Sequence, residues 1–151
     1  MLFRSLDLAD IESRITDLTR IVVITNPNNP TGLVYPQESL NALGDMLRRK
    51  SEGRERPIFL IDDAPYRKLV FDVDRCTSAF AAYENTLMGT SHSKDLGLPG
   101  ERIGFLAVSP RLEGWQRLSK AACFANRTLG FVNAPALMQR VAARQIGRAH
   151  V

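Results

Sequence analysis

Four stretches of this chain gather side chains capable of chemistry. Asn26-Pro27-Asn28-Asn29-Pro30-Thr31-Gly32 is a run of turn formers, and Asp62-Asp63-Ala64-Pro65-Tyr66 supplies two carboxylates and a phenol. Ser91-His92-Ser93-Lys94 adds hydroxyls, an imidazole and a primary amine, and Pro99-Gly100-Glu101-Arg102 ends on a guanidinium. A primary amine can bond covalently to a carbonyl and carry a proton. A carboxylate favours a positive charge beside it, and hydroxyls and guanidinium donate to an anion such as phosphate. Lysine is scarce: Lys50, Lys68, Lys94 and Lys120 are the four among 20 basic residues. Lys94 is the one set in a segment punctuated by glycine and proline, which singles it out.

The elements that must position these groups can be read from hydrophobic spacing. Leu8, Ile11 and Ile15 recur at helical intervals, and residues 21–25 form a β-branched apolar run that stops at Asn26-Pro27. Over residues 36–50 the set Leu40, Leu43, Met46 and Leu47 predicts a helix with Pro36 in its first turn. A polar loop follows, then two short apolar runs, 57–61 and 86–90, each ending in the polar residues named above. Strands alternating with helical segments predict an α/β fold with a largely parallel sheet. In such sheets ligands sit beyond the carboxyl ends of the strands. Three strands thus deliver an asparagine, an aspartate and a lysine to one edge. A fourth strand is expected over residues 103–108; its short connection leaves no room for a crossover helix, so it should run antiparallel. Residues 111–131 and 135–144 read as two helices, the first with Leu112, Trp115, Leu118 and Ala122 on one side.

Composition narrows the function classes. The chain has 151 residues and 44% hydrophobic content, enough for a core, and its net charge of +4 comes from basic residues scattered among acidic ones. That pattern argues against nucleic acid as a partner. No apolar run reaches the length of a membrane span and no signal-peptide pattern is visible, so membrane partners are not expected and a cytoplasmic location is. Cys76 and Cys123 match no metal-ligand spacing and read as buried small apolar side chains. No metal site is expected.

Taken alone, the Asn26–Gly32 run means a rigid loop after a strand. Together with Asp63-x-x-Tyr66 and Ser91-x-Ser93-Lys94 followed eight residues later by Arg102, the order and spacing resemble the class I and II aminotransferases, the aspartate aminotransferase family of fold type I. The match runs over residues 21–108. The resemblance implies the central part of a three-layer α/β/α large domain, mostly parallel with one antiparallel strand, and pyridoxal 5'-phosphate as cofactor. Lys94 would hold the cofactor as a Schiff base and move the proton between the substrate α-carbon and the cofactor. Asp63 would pair with the protonated ring nitrogen and keep the ring an electron sink. Only Asp63 has the Asp-x-x-Tyr spacing; Asp62 is left to cap or to face solvent. Asn29 and Tyr66 correspond to residues that hydrogen-bond the ring hydroxyl oxygen, and the Asn29–Pro30 bond to one often cis, a form tolerated before proline. Ser91, Ser93 and Arg102 look like the phosphate ligands, with Ser93 alternatively satisfying local backbone groups. His92 is given no role. Asn126 and Arg127 could approach a substrate, including across a dimer interface, and neither is assigned.

The resemblance implies amino-acid and 2-oxo-acid substrates and a homodimer at full length. It also implies parts not found in these residues: an upstream loop that cradles the phosphate, an aromatic residue stacked on the ring, and a downstream arginine for the substrate carboxylate. Residues 1–145 are therefore expected to be a partial cofactor-binding domain truncated at both ends, inactive alone. Residues 146–151 translate the start of a common sequencing-adapter oligonucleotide and are expected to be an artefact. Two other functions share the scaffold. A carbon–sulfur lyase would use the same Lys94, Asp63 and Asn29, and a transcriptional regulator would need a DNA-binding domain upstream.

Overall fold

The computed structural model describes residues 5–148; of the stretch 146–151 assigned above to an adapter, residues 149–151 lie outside the described residues. The chain opens with helix α1 (Leu8–Arg14), capped by the Asp7 carboxylate accepting from Asp10 N at 2.9 Å. Strand β1 (Ile21–Thr25), helix α2 (Gln37–Ser51) and strand β2 (Phe59–Asp63) follow. A long connection containing the short helix α3 (Ala79–Ala82) leads to β3 (Thr86–Ser91), which runs straight into a single helical turn, α4 (His92–Asp95). After a 3₁₀ turn (Pro99–Glu101) come β4 (Gly104–Val108), α5 (Trp115–Thr128) and α6 (Ala136–Arg148).

The four strands stand in the order β1-β2-β3-β4, with β1, β2 and β3 parallel and β4 antiparallel to β3. The short connection did force the reversal that its length predicts. The shared register aligns Thr25 with Asp63 and Asp63 with Gly89, so the polar ends of the three parallel strands lie side by side.

One face of this sheet holds the core. Leu40, Leu43, Met46 and Leu47 of α2, recurring at three and four, are all buried against Ile24, Ile58 and Leu60. The last turn of α2 carries Arg48, Arg49 and Lys50, the sign that its dipole favours. Tyr83 is fully buried beneath this layer and its hydroxyl donates to Ile58 O at 2.8 Å, which removes the cost of a buried phenol. Gly44 is required here: a Cβ would collide with the carbonyl oxygen of Ala82. The opposite face is different. Ile21 and Val23 of β1 are 51% and 62% exposed, and α5 has no buried residue.

Several sequence expectations shift. The helix expected from residue 111 begins at Trp115, because Gly114 adopts a left-handed φ of 74° and interrupts the helical path just before it. Leu112 is buried, yet it sits in the turn before α5, and Trp115, the next residue of the expected apolar stripe and the first of α5, is exposed. Cys123 is also exposed and Cys76 only half-buried, against the expectation that both are core residues. Asp62 neither caps a helix nor meets solvent: it is 4% exposed, because alternation along β2 turns it into the packed face.

Candidate active site

The loop after β1 is built by its own side chains. Asn26 is fully buried and ties three segments together, its Oδ1 accepting from Tyr35 N and its Nδ2 donating to Thr77 Oγ1, both at 3.0 Å. Gly32 takes a left-handed φ of 70° and its N–H closes the turn on Asn28 O at 2.7 Å. Asn29 projects from this turn into solvent, and both Asn26–Pro27 and Asn29–Pro30 are cis. The Asn29 amide lies 3.5 Å from the Tyr66 hydroxyl, the outer limit of a hydrogen bond.

Beyond β2, Ala64 N donates to Gly89 O at 2.8 Å and Thr90 Oγ1 donates to Ala64 O at 3.0 Å, which stitches the ends of β2 and β3 together. Tyr66 follows on this fixed segment, and the Lys94 amine lies 5.6 Å from its ring centroid. Asn29, Tyr66 and Lys94 therefore form a chain of neighbours. On the sheet face away from α2, a cleft of about 1080 Å³ opens between the ends of β2 and β3, strand β4 and helix α5. Asp63, Ser91, Ser93, Lys94 and Arg102 all line it. Asn29 and Tyr66 do not line the cleft; they reach its edge through Lys94.

Alternation explains the lining. Asp63, Gly89 and Ser91 share the side of the sheet opposite Asp62, and the antiparallel register sets Gly104 beside Ser91 and Leu106 beside Gly89. Gly89 leaves open space beside Asp63, and any side chain at Gly104 would collide with the Thr90 carbonyl oxygen. Arg102 is held by an unusual left-handed backbone, φ 49°, with its guanidinium donating to Pro99 O at 3.0 Å. That leaves further donors of its fork for an anion.

The two neighbouring aspartates live in opposite conditions. Burial, opposed by Arg67 and reinforced by Asp63, raises the Asp62 carboxyl from 3.8 to about 7, and its Oδ1 has no hydrogen-bond partner. Asp63 faces the open cleft. Sequence reasoning missed the surroundings of Lys94. His92 is buried, with Nδ1 at 3.2 Å from both oxygens of Asp95, and Lys68 Nζ lies 3.2 Å from the same carboxylate. The His92/Asp95 spacing along one helical turn was the available signal. Among the described residues no cluster could hold a metal ion and no helix is long and apolar enough to cross a membrane.

Comparison with known proteins agrees with this geometry. The family model described as aminotransferase class I and II matches residues 3–150. An alanine aminotransferase from Mycobacterium tuberculosis is 35% identical over 105 residues, which cover 68% of this chain and 23% of that protein. Among solved structures, an amino transferase from Eubacterium rectale superposes with a TM-score of 0.85 at 44% identity, covering 89% of this chain and 34% of that one. A PLP-dependent aminotransferase from Streptococcus suis superposes with a TM-score of 0.68 at 25% identity, covering 90% of this chain and 32% of that one. The chain thus spans about a quarter of the curated relative's length and a third of the structural ones.

Proposed function

The chain belongs to the class I and II aminotransferases, and from that premise we propose that the whole protein is a pyridoxal-phosphate-dependent transaminase, moving an amino group from an amino acid to a 2-oxo acid. The observation that carries the proposal is the single cleft lined by an amine, a carboxylate, two hydroxyls and a guanidinium, at the carboxyl ends of parallel strands. This donor set fits the cofactor. It offers Lys94 for the aldehyde, Asp63 for the ring nitrogen, and Ser91, Ser93 and Arg102 for the phosphate. When bound, the cofactor supplies an electron sink for the carbanion that forms at the substrate α-carbon.

The rest of the work belongs to the chain. Lys94 would hold the cofactor through its amine and would serve as the group that takes and returns the proton at the substrate α-carbon. Asp63 holds a proton on the ring nitrogen because a carboxylate beside it favours the charged form. Tyr66, with Asn29 behind it, orients the ring through its hydroxyl, and Arg102 fixes the phosphate end so that the reacting carbon cannot drift.

The whole protein is further proposed to act as a homodimer in the cytoplasm, with no nucleic-acid or membrane partner. Transamination is favoured over lyase or regulator because the relatives compared above all carry aminotransferase names. The deciding experiment loads the whole protein with pyridoxal 5'-phosphate, reduces it with borohydride and maps the modified peptide. The label is expected on Lys94, and Lys94→Ala should lower turnover by about 10²–10⁴-fold. A label on Lys50, Lys68 or Lys120 would refute the assignment, and release of pyruvate and ammonia in place of amino transfer would favour the lyase.

A further inference from the structure

Lys94 stands in α4, a helix of a single turn, and one turn has no stability of its own because nucleation is unfavourable. Its backbone is joined to its surroundings by His92 N donating to Ile103 O at 2.9 Å and Leu98 N donating to His92 O at 3.2 Å. Side chains complete the hold. The Asp95 carboxylate meets His92 Nδ1 and Lys68 Nζ, each at 3.2 Å, and the side chains of His92 and Asp95 are both 8% exposed. Burial raises the Asp95 pKa, but hydrogen bonds from Lys68 and His92 outweigh it and hold the carboxyl below its ordinary value. It is therefore charged at neutral pH. The His92 ring is tilted against Phe105 of β4, with centroids 6.2 Å apart.

The connectivity of this clasp matters more than its strength. Lys68 lies two residues after Tyr66, and the Tyr66 ring is the neighbour of the Lys94 amine. The Lys68–Asp95 pair thus joins the turn that carries Lys94 to the segment that carries Asp63 and Tyr66. None of its three members lines the cleft. A fully exposed ion pair would hold little, but here the carboxylate is shielded from water, and losing a partner leaves a charge poorly compensated.

Resting on the reading of Lys94 as the cofactor's lysine, we propose that Lys68, Asp95 and His92 are positioning residues that aim the Lys94 amine by locking α4 onto the connection after β2. The test uses the whole protein and pyridoxal 5'-phosphate, comparing the parent with Asp95→Asn, Lys68→Met and Lys68→Arg. The readouts are the rate at which apoprotein captures the cofactor and the induced circular dichroism of the bound cofactor, which reports how the ring is held. Asp95→Asn and Lys68→Met should slow capture by about tenfold and weaken the dichroism, while Lys68→Arg, which keeps the ion pair, stays within about twofold of the parent. Should Asp95→Asn fail to fold, the Lys68 pair carries the comparison, since Lys68 is half exposed. Unchanged capture and dichroism in Lys68→Met overturn the clasp, as does a Lys68→Arg variant no better than Lys68→Met. A borohydride label on a lysine other than Lys94 in the parent overturns the underlying assignment as well, so the two failures are told apart.

Discussion

Asp62 and Asp63 are adjacent, chemically identical, and separated by the thickness of a sheet. Asp62 points into the face packed by α2, 4% exposed and with one oxygen unpartnered, and burial pushes its carboxyl to about 7. Asp63 points into the cleft beside Lys94 and Arg102. The contrast extends to the two faces themselves: one is filled by fully buried residues such as Leu43 and Leu47, the other leaves Val23 62% exposed. Stability is thus concentrated on one side of the sheet and candidate chemistry on the other, a division that follows from strand alternation.

The strongest way to break this contrast is to vary pH. The Asp62 pKa of about 7 in the fold lies above its ordinary 3.8, so the folded chain binds this proton more tightly than the unfolded one. Its contribution is fully present below the ordinary value and is lost as pH rises through about 7, a span worth about 4 kcal/mol. In thermal melts from about pH 4 to about pH 8, Asp62→Asn should gain steadily on the parent; a constant difference would mean that Asp62 is not raised by burial.

Activity sharpens the same comparison. Asp63→Asn in the whole protein should lower kcat by about 10²–10³-fold, through loss of a charge placed against the reacting system. Asp62→Asn should leave kcat within the same order of magnitude. Equal losses would remove the distinction between the two carboxyls.

Urea unfolding addresses the faces. Leu43→Ala on the packed side should cost about 2–5 kcal/mol, and Val23→Ala on the open side about 0.5 kcal/mol or less. A Val23→Ala penalty as large as that of Leu43→Ala would show that the open face is covered in solution. The packed side has a second test at Gly44, where an added methyl meets the Ala82 carbonyl oxygen. Gly44→Ala should cost about 1–3 kcal/mol through overpacking, read from the urea midpoint.

Much of the candidate site was legible in the sequence for a local reason. Lys94, Asp63 and Arg102 stand at fixed offsets from turn residues and strand ends, and such punctuation is written within a few residues. The parallel strands and the reversed β4 followed from run lengths and the length of one connection. What stayed hidden depended on distant partners. His92 reads as a spacer until Asp95 and Lys68 are seen around it, and Trp115 falls on an apolar stripe in the sequence although α5 buries no residue. The burial of Asp62 escaped because a strand ending in two aspartates gives no sign of which one continues into the packed layer.

The order of elements, the reversal of the last strand and the residues brought to one sheet edge were determined by the sequence itself, since hydrophobic period, turn chemistry and connection length act between near neighbours. Tertiary structure alone decided which face each aspartate meets, which side of the sheet is dry, and which side chains brace the turn of Lys94. Those outcomes depend on packing between segments far apart in the chain, where burial and charge pairing arise only after the sheet has formed.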